Sequence, residues 1–210
     1  GDTVVEPDET FSLQISNVSG AQDGTLAGTG TILNDDFVTV PISAIQGPGA
    51  TSPLEGEVVV TTGTVTARKN NGFFMQTPDG EDDGDDATSE GLFVFTSAAP
   101  GPEAAVGNRV RVQGTVLEYI PAADPHQLPM TELSFATVTP LSTGHALPAP
   151  VAITADSALP DGGLDQLERY EGMRVVVPNA RVVAPTRGNT NETQATSTGN
   201  GQFAVVADGV

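Results

Sequence analysis

The 210-residue chain has no cysteine and no tryptophan, two histidines, and a single lysine, Lys69. Each shortage removes a class of chemistry. Without cysteine there is neither a disulfide nor a thiolate metal site, so a structural cation would have to be held by hard oxygen ligands. The two histidines, His126 and His145, sit in Pro/Gly-rich loops with no partner cluster nearby in sequence, and read as surface loop residues in preference to a catalytic pair. There is no G-x-S-x-G nucleophile motif and no phosphate-cradling glycine loop followed by lysine, so hydrolase and nucleotidase readings have no residues to stand on. No apolar run approaches the roughly 20 residues needed to cross a bilayer, and no basic-then-apolar leader is visible. The expectation is a segment with no enzyme activity of its own and no membrane insertion.

Glycine and proline are plentiful, at 24 and 16 residues, while aromatics make up 5%. That balance favours many short strands and turns over helices, so the starting expectation is all-β, in one domain or two. Acidic residues outnumber basic ones 27 to 8, a formal charge of −19. Such a surface repels nucleic acid and anionic lipid at long range, and phosphate binding then needs a local basic patch or a bridging cation. It is compatible with a saline or calcium-rich exterior. Gly1 opens directly into strand-like sequence, as expected of a segment cut from a longer polypeptide.

The chain is organised around residues 72–95, GFFMQTPDGEDDGDDATSEGLFVF, two aromatic-rich runs around an acidic, glycine-punctuated loop. Aromatic and branched residues fit a pleated, half-buried surface, so each flank reads as a short strand of a long hairpin. Starting from Asp79, oxygen side chains fall at loop positions 1 (Asp79), 3 (Glu81), 5 (Asp83) and 12 (Glu90), with Gly84 at position 6 and Asp85 close by. This is the spacing of a helix-loop-helix calcium loop set between strands, and the alternative reading is a solvated charge run.

Further strand-like segments flank that hairpin: 58–67 before it, 108–120 and 131–140 after it. Five strands make a small barrel. The first carries Gly63 near its middle, where a strand can bend sharply enough to pair with both neighbours, which is what a five-stranded OB-like Greek-key barrel needs. The Pro/Gly-rich stretch 37–57 marks a linker, placing a domain boundary near residue 40. Beyond Pro148-Ala149-Pro150, helical spacing predicts one short helix over 164–173. The segments EGMRVVVPNARVVA and GQFAVVADG then repeat the opening pattern of the barrel, as the first hairpin of an incomplete second OB-like unit or as ordinary valine-rich hairpin similarity.

Two resemblances follow from particular residues. The block EPDETFSLQIS followed by GTGTILNDD resembles the C-terminal half of a Calx-β domain, an immunoglobulin-like sandwich whose upstream strands would precede this chain. Matching position by position, Asp2, the carbonyl of Val4, Glu6, Glu9, Asp35 and Asp36 fall on the ligand positions of calcium-binding members of that family. Pro7 and Gly1 replace positions that are commonly acidic. The run from SAIQGPGATSPLEGE through GTVTA, GFFMQTP, DDATSEGLFVF, VGNRVRVQGTVLEY and MTEL is similar to the OB-fold-like module of large bacterial extracellular nucleases. In those proteins a separate endonuclease/exonuclease/phosphatase-type domain follows downstream and carries the divalent-metal chemistry. The implied organisation is residues 1–40 as the Calx-β part, 41–150 as the barrel, and 151–210 as a short helix plus the incomplete second unit.

OB barrels bind single strands by stacking bases on aromatics of their second and third strands, with basic residues tracking phosphates. The candidates are Arg68, Lys69, Phe73, Phe74, Phe93, Phe95, Arg109 and Arg111. Alternation is expected to put one member of each Phe pair inside the barrel, leaving at most about half of the rings exposed. Within 55–145, four basic residues face thirteen acidic ones, a poor electrostatic funnel.

The resemblance implies a non-catalytic nucleic-acid-binding or spacing module of a secreted or surface-attached bacterial nuclease, with single-stranded or duplex DNA as partner. The alternative is a Ca²⁺-binding adhesion or structural module that contacts protein or polysaccharide and binds no nucleic acid.

Overall fold

The structure, a computed structural model, describes residues 8–16, 19–20, 27–32, 38–122, 125–159, 161–163, 165–184 and 204–206. By its internal contacts the chain divides into two compact units, Gly1–Thr39 and Val40–Val210. In the first, β1 (Glu9–Gln14) pairs antiparallel with β2 (Ala27–Ile32), and Phe11 lies opposite Gly30. A side chain at Gly30 would run into the Phe11 ring. Phe11, Leu13 and Ile15, the face expected from alternation, are all exposed, since a two-stranded ribbon has no second layer to cover them. Of the Calx-β-type ligand positions, Glu9 opens β1. Asp2, Val4, Glu6, Asp35 and Asp36 lie outside the described residues.

The second unit is built on α1 (Ile42–Gln46) and five strands: β3 (Val58–Lys69), β4 (Gly72–Gln76), β5 (Gly91–Phe95), β6 (Arg109–Tyr119) and β7 (Met130–Ser142). They close into a barrel in the order β3-β4-β5-β7-β6 and back to β3. Every pairing is antiparallel except β5 with β7, which is parallel. This is an all-β, OB-like Greek-key barrel. The long first strand serves two neighbours: Val58–Thr64 pairs with β6, and Thr64–Lys69 pairs with β4 across a register shift between Val65 and Ala67. Gly63 stands at the changeover, where an added Cβ would crowd the Met75 side chain and the Gln76 carbonyl.

Alternate residues of each strand point inward. Val59, Val65, Phe73, Met75, Leu92, Val94, Val110, Val112, Val116 and Leu133 form the core, and Ile42 and Ile45 of α1 join it. Each fully buried aliphatic side chain contributes on the order of 1.5–3 kcal/mol. Five residues of helix are too few to hold themselves together, so α1 exists because its two isoleucines are covered by the barrel.

The helix expected over 164–173 is present as a single 3₁₀ turn, Glu168–Tyr170. Gly162 and Gly163 precede it, and Gly172 at φ 68° ends it in the left-handed conformation, leaving too short a run to offset helix nucleation. The segment instead acts as a strap. It continues into β9 (Val175–Val176), parallel to β8 (Val151–Ala152), and later into the hairpin of β10 (Arg181–Ala184) and β11 (Ala204–Val206).

The strap is fastened to the barrel through polar groups. Ser89 donates its hydroxyl to the Glu171 carbonyl at 2.6 Å, and the Arg174 N–H donates to Gln76 Oε1 at 2.9 Å. The Glu171 carboxyl accepts the Thr131 N–H at 2.8 Å, while Glu118 Oε1 accepts the Ser52 N–H at 2.6 Å and the Thr131 hydroxyl at 2.9 Å. Gly91 lets the strap this close, because a side chain there would collide with the backbone of Glu171, Gly172 and Met173.

Burial, reinforced by the neighbouring Glu168 carboxylate, pushes Glu171 up to about 8. Glu168 is raised too, first by its own burial. A raised carboxyl binds its proton more tightly in the folded state, so its contribution is complete below the unfolded value and declines as pH climbs toward about 8. Between pH 5 and pH 8 the fold is therefore expected to lose stability, by up to about 1.4 kcal/mol per pH unit. Glu171→Gln, which imitates the protonated acid, is expected to flatten that slope in denaturant titrations at pH 5, 6.5 and 8. A slope unchanged by the substitution would show that the strap carries no such proton.

Candidate nucleic-acid interface

The period of two that sends Phe73 and Met75 into the core sends Phe74 of β4 outward, together with Phe93 and Phe95 of β5. The expectation of one inward ring per pair holds for Phe73 and Phe74. It fails for Phe93 and Phe95, which are two residues apart and share the outer face. Phe93 is nonetheless 2% exposed. The Phe74 ring packs on it at 4.9 Å between centroids and 49° between planes, and the Lys69 ammonium sits 5.1 Å from its centroid. Gly72 beside it leaves room that a side chain would fill with a clash against the Phe93 ring.

The layer extends onto β7. Glu132 stands opposite Phe93 in the parallel pairing, is 5% exposed, and accepts the Ser134 hydroxyl at 2.9 Å. Burial raises this carboxyl above its usual range, opposed by the Ser134 hydroxyl and by the charge of Lys69. The outer face of β4, β5 and β7 thus carries a tilted, packed pair of rings with one cation over the deeper ring and one acid beside it.

The basic candidates do not converge on this face. Arg68 donates to the carbonyls of Pro100 and Gly101 at the end of β3, next to Lys69. Arg109 and Arg111 belong to β6, which pairs with β3 and β7 and with neither β4 nor β5. Arg109 makes a two-pronged ion pair with Glu81, 2.6 and 2.5 Å, which raises the guanidinium and holds Glu81 below the usual carboxylate range.

The acidic loop also departs from its expected arrangement. Position 1, Asp79, accepts the Ala149 N–H with both oxygens, and position 3, Glu81, turns to Arg109. Asp83 accepts the Asp85 N–H at 2.8 Å and the Thr88 hydroxyl at 3.1 Å, Asp85 accepts the Ala87 N–H at 2.9 Å, and Glu90 accepts the Asp83 N–H at 3.1 Å. The Asp85 N–H is the main reason that Asp83 stays below the usual range. Backbone donors thus satisfy several of the loop carboxylates. Among the described residues, no three acidic or histidine side chains gather as metal ligands. The loop instead borders a cavity of about 370 Å³ with the strap, where the Arg169 guanidinium lies 4.8 Å over the Tyr170 ring.

One residue of the face escapes any reading by alternation. Counting from Leu133, Phe135 belongs inside, yet it is 86% exposed. Thr115 pairs with Ser134 and Gln113 with Thr137, so β7 has one residue more than β6 between these pairs, a β-bulge. Phe135 takes φ 54° in that bulge and turns its ring outward. With Phe95, Thr96, Ser97, Ser134 and Ala136 it lines a pocket of about 330 Å³. Gly114 across the ladder is the nearest signal in sequence, since a side chain there would press on Leu133 and Ser134.

No protein-family model matches the chain, and no curated protein matches it. Among solved structures it is similar to one described as the crystal structure of "a putative aspartyl-tRNA synthetase from Leishmania major Friedlin". The identity is 14% and the TM-score 0.31, over 52% of this chain and 22% of that one.

The two packed rings have different work. Phe93→Ala empties a buried site and is expected to cost about 3–5 kcal/mol in chemical denaturation. Phe74→Ala, at the half-buried outer ring, is expected to cost about 1–2 kcal/mol. Equal losses would mean that Phe74 is core and not surface.

Proposed function

We propose that the barrel is the non-catalytic nucleic-acid-binding module of a secreted or surface-attached bacterial nuclease, and that it holds single strands through its β4–β5 face. The observation that carries this reading is the outward Phe74 ring on Phe93 with the Lys69 ammonium over the Phe93 ring. It lies on the second and third strands of an OB-like barrel, where that fold presents bases with a stacking platform. The catalytic step belongs to a downstream domain of the parent in this reading. Stacking supplies the affinity and phosphate contacts supply little, because Lys69 lies on the face while Arg68 pairs with the inward Phe73 and is held by the Pro100 and Gly101 carbonyls, and the chain as a whole carries −19.

That balance sets the expected binding. Fluorescence anisotropy with a single-stranded oligonucleotide is expected to show saturable binding with a shallow salt dependence. A log-log slope near about −0.7 corresponds to about one phosphate, the one at Lys69. Phe74→Ala is expected to weaken binding about tenfold, within the range for one lost stack. Lys69→Gln is expected to flatten the slope by about 0.7. Absence of binding at low salt, with heat released on Ca²⁺ titration, would favour the calcium-binding adhesion module instead.

A further inference from the structure

We infer that the pocket between the end of β5 and the bulge of β7 is a second stacking site, which takes one base of a single strand on the Phe135 ring. This rests on the nucleic-acid reading above. Phe135 holds φ 54°, a conformation that Gly, Asn and Asp adopt readily and a bulky aromatic residue rarely does. Burial does not offset that strain, because the side chain is 86% exposed. The fold would be served as well by glycine at this position, so the ring's use lies outside the barrel. Ser97, at φ 59°, borders the same pocket, and strained residues of this kind cluster where ligands are clamped.

The surroundings favour a nucleobase. Phe95 follows Phe93 on the outer face of β5, and the parallel pairing of β5 with β7 sets it beside the bulge, so the pocket continues the Phe74–Phe93 platform along one direction. Bases of an extended strand can occupy the two in succession, each offering a flat face whatever its identity. On the rim, the Thr96 hydroxyl is given to the Ala98 carbonyl and that of Ser134 to Glu132, which leaves the exposed Ser97 hydroxyl for a base edge. A duplex keeps its bases stacked on one another and cannot insert one without unpairing it.

The test uses fluorescence anisotropy at low salt with two fluorescent probes, an oligothymidylate of about 12 nucleotides and an abasic chain of equal length. The proteins are the wild type, Phe135→Gly and Phe135→Asn, two substitutions that suit the left-handed backbone. Both variants are expected to bind oligothymidylate about five- to 150-fold more weakly, the loss of one stacked base. Their binding to the abasic chain is expected to be unchanged, and the melting temperature of Phe135→Gly to rise. If the wild type binds oligothymidylate and both variants bind it equally well, the Phe135 site is wrong while the wider reading stands. If the wild type binds neither probe, the wider reading fails. A fall in the melting temperature of Phe135→Gly would assign the ring to packing and overturn the inference.

Discussion

The parallel pairing of β5 with β7 closes the sheet. It rests on two residue pairs, Phe93 with Glu132 and Val94 with Leu133, against the long antiparallel ladders elsewhere in the barrel. Val94 and Leu133 meet inside as core, and Phe93 and Glu132 meet outside as neighbours. Without that short seam β5 would present an open edge, and the outer aromatic layer would lose one of its walls. The same pairing carries Phe95 to the bulge. Closure and the candidate binding surface are therefore one piece of geometry.

The acidity of the chain is handled locally. Asp79, Asp83, Asp85 and Glu90 lean on backbone N–H groups, Glu81 on Arg109, and Glu132 on Ser134 with Lys69 nearby. The strap makes the opposite choice and buries Glu171, and that burial, with the Glu168 carboxylate adding to it, holds its proton well above the usual range. A segment that could not form its helix thus joins the barrel through carboxyl groups and glycine contacts in place of an apolar face.

The five barrel strands were legible because their signals are local: period-two alternation, β-branched and aromatic residues, and glycine or proline at each end. Observed bounds such as Gly72–Gln76 and Gly91–Phe95 coincide with those runs. The bend of the first strand was legible from Gly63 alone. What sequence could not give is what depends on a partner far along the chain: the cover over Phe93, the strap against Gly91, and the bulge that turns Phe135 out. The carboxylate contacts of the acidic loop were out of reach for a related reason. Spacing fixes which carboxylates are near in sequence, while backbone donors and Arg109 decide where each one points.

The bulge has one more implication. Leu133 faces inward before it, and Ala136 and Val138 pack on the core after it, so the in-out order on both sides would join without a break if Phe135 were simply left out. The residue behaves as an insertion that the ladder absorbs. A strand one residue shorter would close the same barrel, with the same interior and a blank outer surface at that point. A position so separable from the fold can be gained, lost or exchanged between otherwise identical barrels, which lets the number of rings on the face vary without redesigning the core beneath it.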